Sequence, residues 1–456
     1  MYRPRLPERS SPFCRKRRVW TVGNGKYELS ETQTGAMYDY RARVIDAELS
    51  ERLTSIGAVL IDGPKGCGKT ETALQQAKSS VRFDTDPNAR ALLGLNPDEL
   101  FDQETPILFD EWQRAPEIWD QVRRHVDDLR RRGLYILTGS ATPRYERELH
   151  SGAGRIGTLR MRPMTLFESG HSTGEVSLAA LLRGEHQKAK RTAMTVPGLM
   201  ERIVIGGWPA LLDQSERSAR GWLADYLVQI VDIDIPELGT GKRTPDRLRR
   251  ALASLGRSVG TVIKVTALGA DIAGDDHRAP AKETVNSYLD ALDRLKLTEN
   301  SPAWKPHMRS RTELREAPVR YFVDPSLGTA ALKVGSRDLL ADLEAAGFHF
   351  EAMAVRDVRT YAQPLGGAVY SWRESHGRKE VDAIVDTPDG WAAFEVKLTG
   401  DQNVIDRAAK GLLDFAADVD ASKHGSPSAL VVVTATGGGG KRTDGVHVVP
   451  ISALGP

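Results

Sequence analysis

One glycine-rich stretch constrains this chain more than any other feature: Gly63, Pro64, Lys65, Gly66, Cys67, Gly68, Lys69 and Thr70. It fits the pattern G-x-x-x-x-G-K-[ST], in which backbone N–H groups turn inward around phosphates at a helix N-terminus. The apolar run at 58–61 predicts a buried strand before it, and the spacing at 71–77 predicts a helix after it. This context predicts an ATP site in which Lys69 reaches the β- and γ-phosphates and Thr70 contacts Mg²⁺.

A second motif follows in the expected order. An apolar run at 106–109 ends in Asp110 and Glu111, the form of a Walker B segment. Asp110 is predicted to hold the Mg²⁺ shell, and Glu111 to orient and deprotonate the attacking water. The alternative is a glycine-rich turn and an unrelated exposed acidic pair. The order and the flanks of both motifs favour an ATP site that uses Mg²⁺.

The bulk numbers describe an ordinary globular chain. Its 456 residues allow two to four domains, and 27% charged with 40% apolar residues is typical of soluble proteins. A net charge of +2 gives no chain-wide field that would attract nucleic acid, so any basic face must be local. Two cysteines, Cys14 and Cys67, exclude a disulfide framework and fit a reducing cytoplasm. No apolar run reaches the length of a membrane span, and we expect no membrane association.

Strands and helices are predicted to alternate through the first third of the chain. Strand patterns at 58–61, 81–84, 106–109 and 134–138 are interleaved with helical patterns, including one at 116–132. This alternation predicts an α/β fold with a parallel sheet, whose ligands gather at the carboxyl ends of the strands. Residues 1–37 lack such periodicity and are predicted to be a disordered basic arm, with a nucleic-acid-binding tail as the alternative. Met1 and Met37 both remain candidate starts.

Several segments together resemble a known family. They are 110–116, 137–141, Gly154-Arg155 and 162–168. The chain from about residue 40 onward is similar to prokaryotic AAA+ ATPases that carry a C-terminal domain of unknown function. The resemblance implies an ATPase core at 38–170, a helical lid or connector at 171–243, a winged-helix-like domain at 244–326 and a nuclease-like domain at 327–456. It also leaves open a homo-oligomer or a partner protein.

Three further catalytic candidates lie after the Walker B strand. Thr138 or Ser140, at the end of the fourth predicted strand, would serve as the polar sensor that AAA+ enzymes place beside the γ-phosphate. The alternative is a turn with a helix cap. Arg155 has two interpretations: an arginine finger that neutralises charge on the γ-phosphate, or an ion pair within its own domain.

The middle of the chain shows three helical patterns followed by two short strand-like pieces. The third helix, predicted at 281–297, would be the one that enters a DNA groove in a winged helix. Its exposed face mixes acidic and basic side chains. Both DNA contact and protein contact therefore remain open.

The carboxyl-terminal region carries the spacing D-x12-E-x-K, formed by Asp382, Glu395 and Lys397. The spacing resembles the PD-(D/E)xK nuclease-like fold. Two carboxylates of such a site bind a divalent cation, and the lysine positions water or offsets charge on the phosphorus. Glu351, on a preceding helix, is a candidate further ligand or base. The alternative is a surface hairpin with a cross-strand ion pair, or a nuclease-like fold without activity.

These observations lead to two hypotheses about function. The first is a cytoplasmic, Mg²⁺-dependent AAA+-type ATPase that moves the winged-helix and nuclease-like domains and acts on nucleic acid, with DNA as the expected partner and metal-dependent endonuclease activity left open. The second is an ATP-switched protein-interaction module whose C-terminal domain is catalytically inactive.

Overall fold

The computed structural model describes residues 40–139, 151–238, 244–274, 279–304, 317–374 and 379–456, together with two short strands near the N-terminus. Residues 1–40 and 41–456 form two compact units. In the first unit, strands β1 (Trp20–Val22) and β2 (Gly25–Tyr27) pair antiparallel within the segment predicted to lack structure. The remainder of that predicted arm lies outside the described residues. All further elements belong to the second unit.

A five-stranded parallel sheet forms the N-terminal part of the second unit. Its strands occur in the order β4-β5-β6-β3-β7, and every neighbouring pair is parallel. The predicted α/β core with a parallel sheet is therefore confirmed. The elements are α1 (Ile45–Ser55), β3 (Ala58–Asp62), α2 (Lys69–Leu74), β4 (Ser79–Arg82), α3 (Pro87–Leu95), α4 (Asp98–Phe101), β5 (Ile107–Asp110), α5 (Ile118–Leu129), β6 (Tyr135–Gly139) and β7 (Ile156–Arg160).

Helices dominate the middle of the chain. Four of them have side-chain or proline caps that explain where they begin: Ser177, Thr195 and Ser215 accept N-terminal backbone N–H groups, and Pro245 occupies the first turn of another. A π-helical segment (Ile230–Asp234) continues one helix. The elements are β8 (Val176–Ser177), α6 (Leu178–Leu182), α7 (Val196–Ile205), α8 (Glu216–Gln229), α9 (Ile235–Glu237), α10 (Pro245–Arg257), α11 (Val265–Ala273) and α12 (Lys282–Arg294).

Short antiparallel bridges follow the three helices α10 to α12. Thr298 pairs with Phe322 and Ser301 pairs with Val319, while Thr261, between the first two helices, pairs with Arg320. Of the two strand-like pieces predicted here, the one at 319–323 pairs with Thr298 and Ser301, whereas the one around Ala303 and Trp304 pairs with Ser371 instead. Helices α13 (Pro325–Leu332) and α14 (Ser336–Ala341) lead into the C-terminal region.

The C-terminal region is a six-stranded mixed sheet in the order β13-β14-β12-β11-β10-β9. Three predicted strands, β9 to β11, pair antiparallel, and β12 adds to β11 in parallel. The last strand, β15, pairs with β8 far upstream. The elements are α15 (Leu343–Ala362), β9 (Ala368–Arg373), β10 (Glu380–Thr387), β11 (Gly390–Lys397), α16 (Gln402–Asp418), α17 (Ala421–His424), β12 (Ala429–Thr434), β13 (Gly440–Lys441), β14 (His447–Pro450) and β15 (Leu454–Gly455).

The hydrophobic cores cross the predicted domain boundaries. One cluster runs from the parallel sheet into helices α10 to α12, and a second joins α6 and α7 to the C-terminal sheet. The regions of the second unit are therefore packed into one another. No helix in the described ranges is long and apolar enough to cross a membrane.

Candidate nucleotide site and C-terminal carboxylates

The glycine-rich loop lies between β3 and α2, as its pattern predicts. Gly66 and Gly68 have φ angles of 76° and 101°, a region that favours glycine. Lys69 begins the helix, and its buried ammonium donates to the carbonyl oxygens of Gly63 and Pro64 at 2.9 and 2.8 Å. Lys69 is thus held against the same loop whose backbone N–H groups would bind a phosphate.

Asp110 lies in contact with two other predicted site residues, Thr70 and Thr138. It ends β5 opposite Thr138 of β6, because the two parallel strands are in register there. The hydroxyls of Thr70 and Thr138 both donate to Oδ1 of Asp110, at 2.9 Å for Thr70. Hydroxyl and carboxylate oxygens are ligands that Mg²⁺ prefers, so this donor set fits the ion. Thr70 and Asp110 are the residues that would hold it.

Glu111 follows Asp110 in the left-handed region, with φ at 52°. Burial raises the pKa of its carboxyl, and the ammonium of Lys69 partly offsets that rise. The side-chain amide of Gln113 donates to Oε2 of Glu111. A carboxylate with a raised pKa at this edge of the sheet suits the role of general base.

Arg43 holds the far side of the loop, and sequence reasoning missed it. Its guanidinium donates to the carbonyl oxygens of Cys67 at 2.9 Å and Arg162 at 2.7 Å, and to Oε1 of Glu168 at 3.1 Å. Glu168 also accepts the backbone N–H of Thr165 at 2.8 Å. The 162–168 segment that carried part of the resemblance therefore supports the nucleotide loop. In the sequence, the family resemblance of this segment was the only indication of that supporting role.

The π-helical segment and α8 cover the tip of the loop. Lys65 forms an ion pair with Asp234, and the Tyr226 hydroxyl donates to the Lys65 carbonyl at 3.2 Å. The rings of Trp222 and Tyr226 stack at 5.2 Å beside Gly66. These side chains line a cavity of about 450 Å³ next to the loop.

Arg155, a further predicted residue, does not join this cluster. Arg155 precedes β7, and its Nε lies 2.8 Å from Oδ1 of Asp127 on α5 of the same sheet domain. The ion pair within its own domain is thus present, and a role as an arginine finger stays a prediction. Ser140 lies outside the described residues.

The C-terminal carboxylates lie close to Lys397. The lysine ammonium is 2.7 Å from Oε1 of Glu395 and 4.0 Å from Oδ2 of Asp382. Burial, followed by the charge of Asp382, raises the pKa of Glu395 to about 8 and that of Glu351 well above its usual range. Asp382 also accepts the backbone N–H of Val396 at 2.7 Å.

Glu351 faces a different neighbour. Its Oε1 accepts the hydroxyl of Tyr321 at 2.6 Å, and both residues line a cavity of about 300 Å³ with Asp382. Within the described ranges, no three His, Cys, Asp or Glu side chains are placed to hold a metal ion together. The predicted set of three carboxylate ligands is therefore not preformed, and each residue's role as a ligand stays a prediction.

Geometry and sequence comparison agree that the N-terminal region has a P-loop, AAA-like fold. Residues 56–169 match the family model described as AAA domain. Residues 197–338 match a domain of unknown function, DUF8612, and residues 346–454 match another, DUF4143. None of the curated proteins compared with the chain matches it.

Several solved structures are similar to parts of the chain. The Walker-type ATPase of Pyrococcus abyssi is 14% identical with a TM-score of 0.39, over 63% of this chain and 94% of that one. A RuvB variant of Thermotoga maritima is 15% identical with a TM-score of 0.23, over 57% and 89%. Orc1 of Aeropyrum pernix, solved in complex with DNA, is 12% identical with a TM-score of 0.24, over 65% and 93%.

Proposed function

We propose that the chain is a cytoplasmic, Mg²⁺-dependent ATPase that couples ATP hydrolysis to movement of its middle and C-terminal regions. The observation that carries the proposal is the convergence on Asp110 of hydroxyls from the glycine-rich loop and from β6. Lys69 and Glu111 lie on either side of the Asp110 carboxylate. The arrangement supplies a cation for the phosphates, oxygen ligands for Mg²⁺ and a base for water.

In the proposed reaction, Glu111 takes the proton of a water whose oxygen attacks the γ-phosphorus of ATP. The bond between that phosphorus and the bridging oxygen breaks, and ADP keeps the electron pair. Lys69 would offset negative charge on the transferred phosphoryl group. Bound Mg²⁺ would supply further charge neutralisation.

Ion pairs at the edge of the ATPase sheet support the coupling part of the proposal. Asp62, directly before the glycine-rich loop, pairs with Lys296 after α12 at 3.0 Å. Arg162 forms a bidentate ion pair with Glu299, in which Nη2 and Nε donate to the two carboxylate oxygens at 2.6 and 2.7 Å. A shift of the loop on nucleotide exchange would therefore act directly on the middle region.

The test compares three proteins in nucleotide-binding and ATPase assays. Lys69→Ala should abolish saturable binding of labelled ATP, because it removes the phosphate-binding ammonium. Glu111→Gln should bind ATP like the wild type and lose about 10²–10⁴-fold in turnover. Equal turnover of Glu111→Gln and wild type would refute the assignment.

Action on DNA is the finer part of the proposal. Helices α10 to α12 with the bridges after them support a winged-helix arrangement, and Lys397 between Asp382 and Glu395 supports a PD-(D/E)xK site. Plasmid and branched DNA should be cleaved with Mg²⁺ or Mn²⁺ by the wild type, but not by Asp382→Ala or Lys397→Ala. Absence of both cleavage and salt-dependent DNA binding would favour an ATP-switched interaction module.

A further inference from the structure

Gln113 lies in the 3₁₀ turn Trp112–Arg114 that follows Glu111. Its amide nitrogen donates to Oε2 of Glu111. An ionised carboxylate can only accept, so the nitrogen end of the amide must face Glu111. The amide oxygen of Gln113 consequently points the other way.

That amide oxygen is a buried acceptor without a hydrogen-bond partner in the part of the chain that the structure describes. It lies over Gly139, the last residue of β6, where an added Cβ would come within 2.4 Å of it. Gly139 follows Thr138, which donates to Asp110. The amide oxygen is therefore packed against the end of β6, next to the residue that donates to Asp110.

The turn leaves the Gln113 amide little freedom. Its geometry is closed by the Arg114 N–H, which donates to the Glu111 carbonyl at 2.9 Å. Trp112, only 4% exposed, packs on Trp119 with ring centroids 5.0 Å apart. Gln113 is thus fixed between Glu111 and the end of β6.

We propose that Gln113 is the positioning residue for Glu111 in ATP hydrolysis. Its N–H holds the carboxylate in the orientation from which Glu111 takes the proton of the attacking water. The proton of that water passes to Glu111 as oxygen bonds to the γ-phosphorus and the bond to ADP breaks. This inference rests on the ATPase function proposed above.

The test measures kcat and KM for ATP in the wild type, Gln113→Ala, Glu111→Gln and the double variant. Gln113→Ala should lower kcat about 10- to 100-fold, part of the roughly 10²–10⁴-fold that a general base contributes. KM should change less than about twofold, because no ground-state contact with ATP is lost. The double variant should be no slower than Glu111→Gln, since both changes remove one function.

A matched control and a second variant complete the design. Gln103 donates its amide to the Leu100 carbonyl away from the site, and Gln103→Ala should keep wild-type kinetics. Gln113→Met keeps much of the side-chain volume but has no donor, so it should lose as much kcat while unfolding near the wild-type temperature. This variant decides the matter if Gln113→Ala does not fold.

Three results would overturn the inference: a wild-type kcat in both Gln113 variants, a rise in KM alone, or losses that multiply in the double variant. Failure of the underlying function is distinguishable. In that case the wild type itself would hydrolyse no ATP, or Glu111→Gln would be as active as the wild type.

Discussion

The ion pair of Arg162 and Glu299 provides a direct test of how the ATPase sheet is joined to the middle region. Nε and Nη2 of Arg162 donate to the two carboxylate oxygens of Glu299 at 2.7 and 2.6 Å. The two side chains are 9% and 21% exposed. Glu299→Ala removes both bonds and leaves a guanidinium group buried without its counter-ion.

Removing one partner of a buried ion pair costs about 3–5 kcal/mol. We expect the lower end, about 3 kcal/mol of the free energy of unfolding, because Nη1 of Arg162 still donates to Gln363 at 2.6 Å. Urea unfolding of wild type, Glu299→Ala, Arg162→Met and the double variant measures this value. The cycle should give a coupling energy of about 2 kcal/mol or more.

The pH dependence of this loss has a definite sign. Burial alone would raise the pKa of Glu299, but the guanidinium groups of Arg162 and Arg359 outweigh it and hold the pKa well below its usual range. A depressed carboxyl pKa stabilises the fold above the unfolded-state value of about 4.5. The gap between wild type and Glu299→Ala should therefore be constant from about pH 5 to 8 and narrow below about pH 4.5.

An exposed pair on the same molecule serves as the control. Arg249 contacts both oxygens of Asp232 at 2.8 Å, but the two side chains are 43% and 37% exposed. Asp232→Ala should cost less than about 1 kcal/mol. The reasoning fails if Glu299→Ala costs no more than this control, or if its effect grows on acidification.

Two further predictions concern the glycine-rich loop and helix α15. Gly63→Ala should abolish binding of labelled ATP, because its Cβ would lie 2.2 Å from the Met161 carbonyl oxygen, whereas Gly94→Ala, with no neighbour within 4 Å, should bind normally. His349 is 2% exposed, and burial lowers its pKa to about 4. His349 binds a proton near pH 6.5 in the unfolded chain but not in the folded chain, so this residue alone should lower the stability by about 3 kcal/mol between pH 6.5 and 4 in urea titrations. His349→Gln should lack most of this fall, while exposed His186→Gln should retain it; parallel pH profiles of wild type and His349→Gln would contradict the prediction.

Local pattern was enough to predict the nucleotide loop, the Walker B strand and most helices. The fifth strand of the parallel sheet was missed, because Ile156–Arg160 is half-exposed and carries glycine and polar residues instead of an apolar run. Helix α16 and strand β12 were also not predicted, although their patterns are regular. The strand order itself depends on pairings between distant segments, which no local pattern contains.

The supporting residues of the site were beyond sequence reasoning for the same physical reason. Arg43 and Glu168 are 125 residues apart, and neither belongs to a motif with an assigned chemical role. Gln113 is close to Glu111 in sequence. Its importance nevertheless depends on the direction of one amide and on the glycine of a neighbouring strand, which only coordinates reveal.

The C-terminal cavity is completed by residues from outside the C-terminal sheet. Tyr321, which donates to Glu351, belongs to the bridge region after α12, and Arg359 lies over its ring at 5.2 Å. Arg359 also donates to the Glu299 carbonyl at 2.6 Å, and the Glu299 side chain is held by Arg162 of the ATPase region. Because the carboxylate at Glu351 is fixed through these contacts, an isolated C-terminal fragment would lack the partner that orients it. Tyr321, Arg359 and Glu299 thus form a continuous chain of contacts from the Glu351 carboxylate to Arg162 at the edge of the parallel sheet.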